Sequence, residues 1–140
     1  GVCAVIYVAE SMEQADKEIV LIEGQGSLLH PGSTATLPLM RGSCPTHLIL
    51  CLRAEKTTLR SPEHIKIPDL NDFIALNESL ATVGGTFPKA KVIGIAANTS
   101  MLSLEDAEIY LKKTAEKTGI LVTDPVRFGI DSIGKHIASS

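Results

Sequence analysis

An acid at the end of an apolar run, followed at once by glycines, is the feature of this chain best suited to chemistry: Glu23-Gly24-Gln25-Gly26-Ser27, with His30 close behind. Gly24 and Gly26 let backbone N–H groups approach an anion that a side chain would hold off. Glu23 and His30 are the candidate catalytic residues, as base and proton shuttle. Gly24, Gln25, Gly26 and Ser27 form the candidate cofactor cradle. The plain alternative is a surface turn after a core strand, with a solvent-facing or capping histidine.

Further polar groups stand at the ends of later apolar runs. Asn98-Thr99 follows one of them, and both residues are candidate cofactor contacts. An Asn there either offers a donor and an acceptor to a ring edge such as adenine, or caps its own turn. Asp124-Pro125-Val126-Arg127 sets a carboxylate and a guanidinium after the last run. Arg127 grips a phosphate or carboxylate in a forked geometry, or pairs locally with Asp124. Arg53, Asp124 and Arg127 make up the candidate substrate-binding set, and Lys56 lies in the same rim segment as Arg53.

Other reactive types carry less. The cysteines, Cys3, Cys44 and Cys51, are odd in number and contain no Cys-x-x-Cys pair, which argues against a disulfide framework and a zinc knuckle. Cys51 is expected to pack as a small hydrophobe, and Cys44 beside His47 is a minor candidate for a catalytic thiol. No two histidines have metal-ligand spacing, so no metal ligands are assigned. Gly129 to His136 has the Gly-x4-Gly-Lys skeleton of a phosphate loop but lacks the following Ser or Thr. Ile130, Ile133 and Ile137 instead predict a C-terminal helix.

The elements that must position these groups alternate. Apolar, branched runs at residues 19–23, 47–52, 91–96 and 120–123 read as parallel strands covered on both faces. Leu70, Phe73, Ile74, Asn77, Leu80 and Ala81 recur at helical spacing, with Gly84-Gly85 as the stop. Ser103 and Asp106 resemble a capping box for a helix with inner residues Leu104, Ala107, Leu111 and Ala115, an outward Glu108–Lys112 pair and a stop at Gly119. Helices are also expected over residues 3–16 and 35–41, the latter with Pro38 in its first turn. Residues 54–68, polar and with two prolines, read as an excursion over the ligand edge. The alternation predicts one α/β domain over residues 1–140, a three-layer sandwich with a mainly parallel sheet. Ligands in such sheets bind beyond the carboxyl ends of the strands, which would gather Glu23, Arg53, Asn98 and Arg127 on one rim.

A formal net charge of -3 with scattered lysines gives no footprint for nucleic acid, so none is expected as a partner. No apolar run approaches the roughly 20 residues that span a bilayer, and no basic n-region of a signal peptide is visible. We therefore expect a cytoplasmic protein with a small-molecule substrate and no membrane partner, assembled as a homo-oligomer.

The run from Val20 to Pro31 is similar to the hallmark of the D-glutamate N-acetyltransferase family, formerly known only as a conserved domain of unknown function. The resemblance continues, in order, through Leu37 to Pro45, Val92 to Thr99 and Asp124 to Gly129. Members of that family resemble P-loop proteins of the dethiobiotin-synthetase type. The resemblance implies a P-loop NTPase-like fold, with Glu23 as the acid near the phosphates and Asn98 at the base-reading position. It implies acetyl transfer from acetyl-CoA to the amine of D-glutamate, a reaction of D-amino acid metabolism. Glu23 or His30 would be the base, residues 24–27 an oxyanion or phosphate cradle, and Arg127 or Arg53 the grip on a carboxylate or pyrophosphate. Family members carry an upstream Gly-Lys phosphate loop and an N-terminal α/β domain, so the chain is expected to be the C-terminal part of a longer protein. Two other readings stay open: an ATP- and Mg-dependent ligase or kinase of the dethiobiotin-synthetase type, and a catalytically inactive binding or assembly module.

Overall fold

The computed structural model describes residues 19–24 and 26–138. The expected helix at residues 3–16, Cys3 and Gln25 lie outside the described residues. Three strands, β1 (His47–Arg53), β2 (Lys91–Asn98) and β3 (Leu121–Thr123), form a parallel sheet in the order β1-β2-β3. Between and around them stand α1 (Thr36–Ser43), α2 (Leu70–Thr82), α3 (Leu104–Thr118), the single turn α4 (Pro125–Phe128) and α5 (Asp131–Ala138).

Each helix is set by local signals. Asp69 caps α2 by accepting from the Asn71 N–H, and Ser103 caps α3 by accepting from the Asp106 N–H. Asp106 returns the contact to the Ser103 hydroxyl rather than to its backbone, so the capping box closes between side chains. Gly119 ends α3 at φ 70°, where an L side chain would be strained. α2 ends one residue earlier than the glycines led us to expect, because Val83 itself turns left-handed at φ 49°. Pro38 falls in the first turn of α1, where its missing N–H costs nothing.

The core lies between the sheet and α2. Leu50, Ile95 and Val92 pack with Ile74, and Leu52, Leu70, Phe73 and Val122 close around them. Leu70 and Phe73 of α2 line one concavity with Tyr110 and Thr114 of α3, which sets both helices on this face, as the right-handed rule for parallel crossovers leads one to expect for the order β1-β2-β3. Side chains alternate along β2, so Gly94 faces the opposite side from Ile95. There Ile133 of α5 sits so close that a Cβ on Gly94 would come within 2.9 Å of its Cδ1. The third layer is thus α5, as the three-layer α/β expectation required.

Several expectations need correction. Residues 19–23 form no strand of the sheet: Leu21 is 80% exposed, and Ile19, Val20 and Ile22 also face solvent. A buried strand needs a ladder and cover on its faces, and this segment has neither among the described residues. It is tied instead to α1, since a Cβ on Gly24 would collide with Leu39. β1 is not covered on both faces either. It alternates, with Leu50 buried and Ile49 42% exposed, and Cys51 is exposed rather than packed. On α3, Leu104 is exposed and Thr114 takes the inner position, its hydroxyl donating to the Tyr110 carbonyl. Glu108 and Lys112 form no ion pair; the pairs among the described residues are Lys91–Glu78 and Lys117–Asp69.

Candidate functional site

The carboxyl ends of β1, β2 and β3 open onto two concavities that meet at Leu52. The smaller, about 280 Å³, is lined by Cys51, Leu52, Ala96, Asn98, Ser100 and residues 124–127. It occupies the position at which open parallel sheets take ligands. The larger, about 1190 Å³, lies between β1, the 54–68 excursion and helices α2 and α3.

Asn98 pairs with Arg53 in the register, and its carbonyl accepts from the Ala54 N–H, which turns the chain away from the sheet there. Its side-chain Oδ1 accepts from the Ser100 N–H at 3.0 Å, the turn-capping role, while the exposed Nδ2 has no protein partner among the described residues. Asn98 therefore caps its own turn and still offers a donor to the small cleft.

Asp124 is held far more tightly. It is 2% exposed, and its Oδ2 accepts both the N–H and the hydroxyl of Thr99 while Oδ1 accepts the N–H groups of Val126 and Arg127. Burial pushes its carboxyl up, but the bonds from Thr99, Arg127 and Val126 together outweigh this and hold it below the ordinary range. Asp124 is the N-cap of α4 with Pro125 as the first helical residue. The carboxylate ties the end of β2 to the end of β3. Thr99 is wholly buried in that tie, so its side chain does not face a ligand.

Arg127 forms no side-chain ion pair with Asp124, which it meets only through its backbone N–H. Its guanidinium donates to the carbonyls of Leu102 and Ser103, at 2.8 and 3.2 Å, locking α4 against the start of α3. The small cleft thus has a rigid wall of three segments knit by Asp124 and Arg127, with Asn98 and Ser100 exposed at its mouth.

The structure does not bring Glu23, Gly24, Gly26, Ser27 or His30 into either concavity. With residues 19–23 outside the sheet, no strand among the described residues carries Glu23 to the rim. The Ser27 N–H, expected in an anion cradle, donates to the Ser33 hydroxyl, and the Ser27 hydroxyl accepts from Leu29 N–H. Gly26 adopts φ 115°, and a Cβ there would strike Ser33. His30 Nδ1 accepts from the Gly32 N–H at 3.1 Å, leaving Nε2 as its outward nitrogen. Cys44 donates to the Arg41 carbonyl and His47 shares a bond with Thr46, so they form no thiol–imidazole pair.

Arg53 and Lys56 line the larger cavity, together with residues that were not singled out from the sequence: Arg60, Tyr110, Lys113 and Lys117. The available signal was the i, i+4 spacing of Lys113 and Lys117 on one helix face.

The sequence matches the family described as "Domain of unknown function (DUF1611_C) P-loop domain" over residues 2–134. It is 37% identical to a D-glutamate N-acetyltransferase of Pseudoalteromonas sp over 114 residues, 81% of this chain and 34% of that protein. A D-glutamate N-acetyltransferase of Tritonibacter scottomollicae is 36% identical over 120 residues, 85% of this chain and 35% of that protein. The crystal structure of a DUF1611 family protein from Anabaena variabilis superposes with a TM-score of 0.93 at 43% identity, covering 98% of this chain and 40% of the other. The chain therefore spans about a third of the curated relatives it matches. Among the described residues no helix is long and apolar enough to cross a membrane.

Proposed function

This chain belongs to the family of DUF1611 C-terminal P-loop domains, and we propose that it forms part of an N-acetyltransferase acting on D-glutamate with acetyl-CoA as donor. The observation that carries this reading is the match, over more than four fifths of the chain, to two relatives bearing that name. The small cleft supports it with a volume near 280 Å³ that suits an amino acid rather than a nucleotide.

In the reaction the amine nitrogen attacks the thioester carbonyl, the C–S bond breaks, and the thiolate leaves. The ammonium proton must first pass to a base, and the tetrahedral oxyanion needs a donor. Asn98 Nδ2 is such a donor at the cleft mouth. Glu23 or His30 serves as the base once the rest of the longer protein brings the 19–30 segment to the rim.

The test uses the full-length enzyme. Asn98→Ala should lower kcat/KM for D-glutamate about 10- to 100-fold, the range for a hydrogen bond to a charged group. Glu23→Gln should remove most turnover if Glu23 is the base; near-normal rates assign the base to His30, and normal rates in both Glu23→Gln and His30→Ala reject the pair. The P-loop description of the family favours a second reading, an ATP- and Mg-dependent ligase or kinase. Stoichiometric ATP consumption during turnover would establish that reading and exclude simple acetyl transfer.

A further inference from the structure

We propose that residues 57–67 form a lid that pivots as one body at Glu55 and closes over the carboxyl rim of the sheet. The segment is built as a unit. The Ile67 N–H donates to the Thr57 carbonyl at 2.8 Å and the Leu59 N–H to the Ile65 carbonyl at 3.0 Å, while Thr58 and Lys66 form an antiparallel bridge. Among the described residues, every hydrogen bond made by residues 57–67 stays inside the segment. No residue from 55 to 69 is buried. A segment with its own ladder, but with no core contact and no bond to the body, opens as a unit at low cost.

The two attachments of the segment are fixed where the segment is not. Ala54 is buried, and its N–H donates to the Asn98 carbonyl at 3.0 Å. Asp69, at the other end, caps α2 and pairs with Lys117. Between the anchored Ala54 and the hairpin stands Glu55 at φ 59°, a left-handed conformation that penalises a residue with a Cβ. Glu55 relieves that penalty by rotating back, and closure carries it out of the left-handed region. One residue that absorbs a large φ change is what a hinge requires.

Leu59 and Ile67 line the larger concavity from the hairpin, and Leu52, Leu70, Phe73 and Tyr110 line it from the body, all of them only half-buried. Closure brings these two sets together and removes apolar surface from water, which favours it. Because Ala54 is bonded to Asn98, the hinge begins on the residue that stands at the small cleft. A long polar segment between two core elements is uncommon in a compact domain unless it serves function. In acyl transfer, water competes with the amine for the thioester carbonyl, giving acetate and free thiol, and a closed lid excludes it. That role, though not the motion, rests on the acyl-transfer reading.

Methyl relaxation dispersion on the full-length protein tests the motion without any ligand. Leu59, Ile65 and Ile67 should exchange at one common rate in the microsecond-to-millisecond range, with the fully buried Ile95 flat. Glu55→Gly frees the left-handed hinge of its penalty and should lower the closed population, and with it the dispersion amplitude, about fivefold. Glu55 is exposed, so an unchanged or raised melting temperature verifies folding. Adding D-glutamate with coenzyme A should move the three residues' methyl signals to the closed position and quench the exchange. A common rate that these two compounds leave untouched keeps the lid and counts against the acyl-transfer reading. Flat profiles, unrelated rates for the three residues, or exchange indifferent to Glu55→Gly overturn the proposal.

Discussion

Replacing Asp124 tests the view that this residue is a tie between strands rather than a ligand contact. Asp124→Ala removes the acceptor of both Thr99 donors, which are wholly buried and cannot turn to water. An orphaned buried donor costs about 1–3 kcal/mol, and loss of the α4 cap adds about 1 kcal/mol. The sum, roughly 3–7 kcal/mol, is a large fraction of the roughly 5–15 kcal/mol that holds a domain together. At about 3 °C per kcal/mol the domain's melting temperature should fall by roughly 10–20 °C. Asp124→Asn keeps one oxygen for the Val126 and Arg127 N–H groups and should cost about half as much. Acid adds a second reading. The folded carboxyl titrates below the ordinary value of 3.8, so its contribution is complete above that pH and is lost as pH falls through the native value. Asp124→Asn should therefore show a shallower loss of stability below pH 3.8 than the wild type. Thermal denaturation of the full-length protein across pH, with hydrogen exchange at the Thr99 amide, measures both. A melting temperature within 1–2 °C of wild type for Asp124→Ala, with Thr99 still protected, would refute the tie.

Two other substitutions follow from close contacts. Gly94→Val places side-chain atoms where Ile133 stands and should destabilise by about 1–3 kcal/mol, as overpacking does; adding Ile133→Ala should recover part of that loss in a double-mutant cycle, and strict additivity would show that the two do not touch. Arg127→Lys keeps the charge but cannot reach the Leu102 and Ser103 carbonyls with one fork, so it should cost about 1–2 kcal/mol and raise exchange at the start of α3; wild-type stability would mean the guanidinium does not lock α4.

Much of the scaffold was legible because its signals are local. The apolar runs of β1, β2 and β3, the Ser103 cap and Gly119 stop of α3, and the Ile133 stripe of α5 each declare themselves within a few residues. Residues 19–23 misled for a physical reason. An apolar run has the same composition whether it lies in a sheet or waits for cover, and only long-range pairing separates the two. The basic cavity was hidden likewise, since Arg53 and Lys56 are distant in sequence from Lys113 and line one concavity with it only in the folded chain. By contrast α4 could have been found, because Asp124 before Pro125 is a cap followed by the residue that best opens a helix.

That last case bears on how acids at strand ends should be read. A carboxylate at the carboxyl rim of a parallel sheet stands where ligands bind, so position alone favours a functional role. What decides is the supply of donors. Asp124 has four, all from its own neighbours, and they saturate both oxygens before any ligand arrives. The side chain of Asn98, one residue before Thr99, accepts a single bond and keeps its amide donor. Two adjacent positions thus divide the work: the buried pair fixes the distance between β2 and β3, and the exposed amide uses the rigidity so created. A ligand contact made by Asn98 gains from that division, because the strand end that carries it has no freedom left to lose on binding.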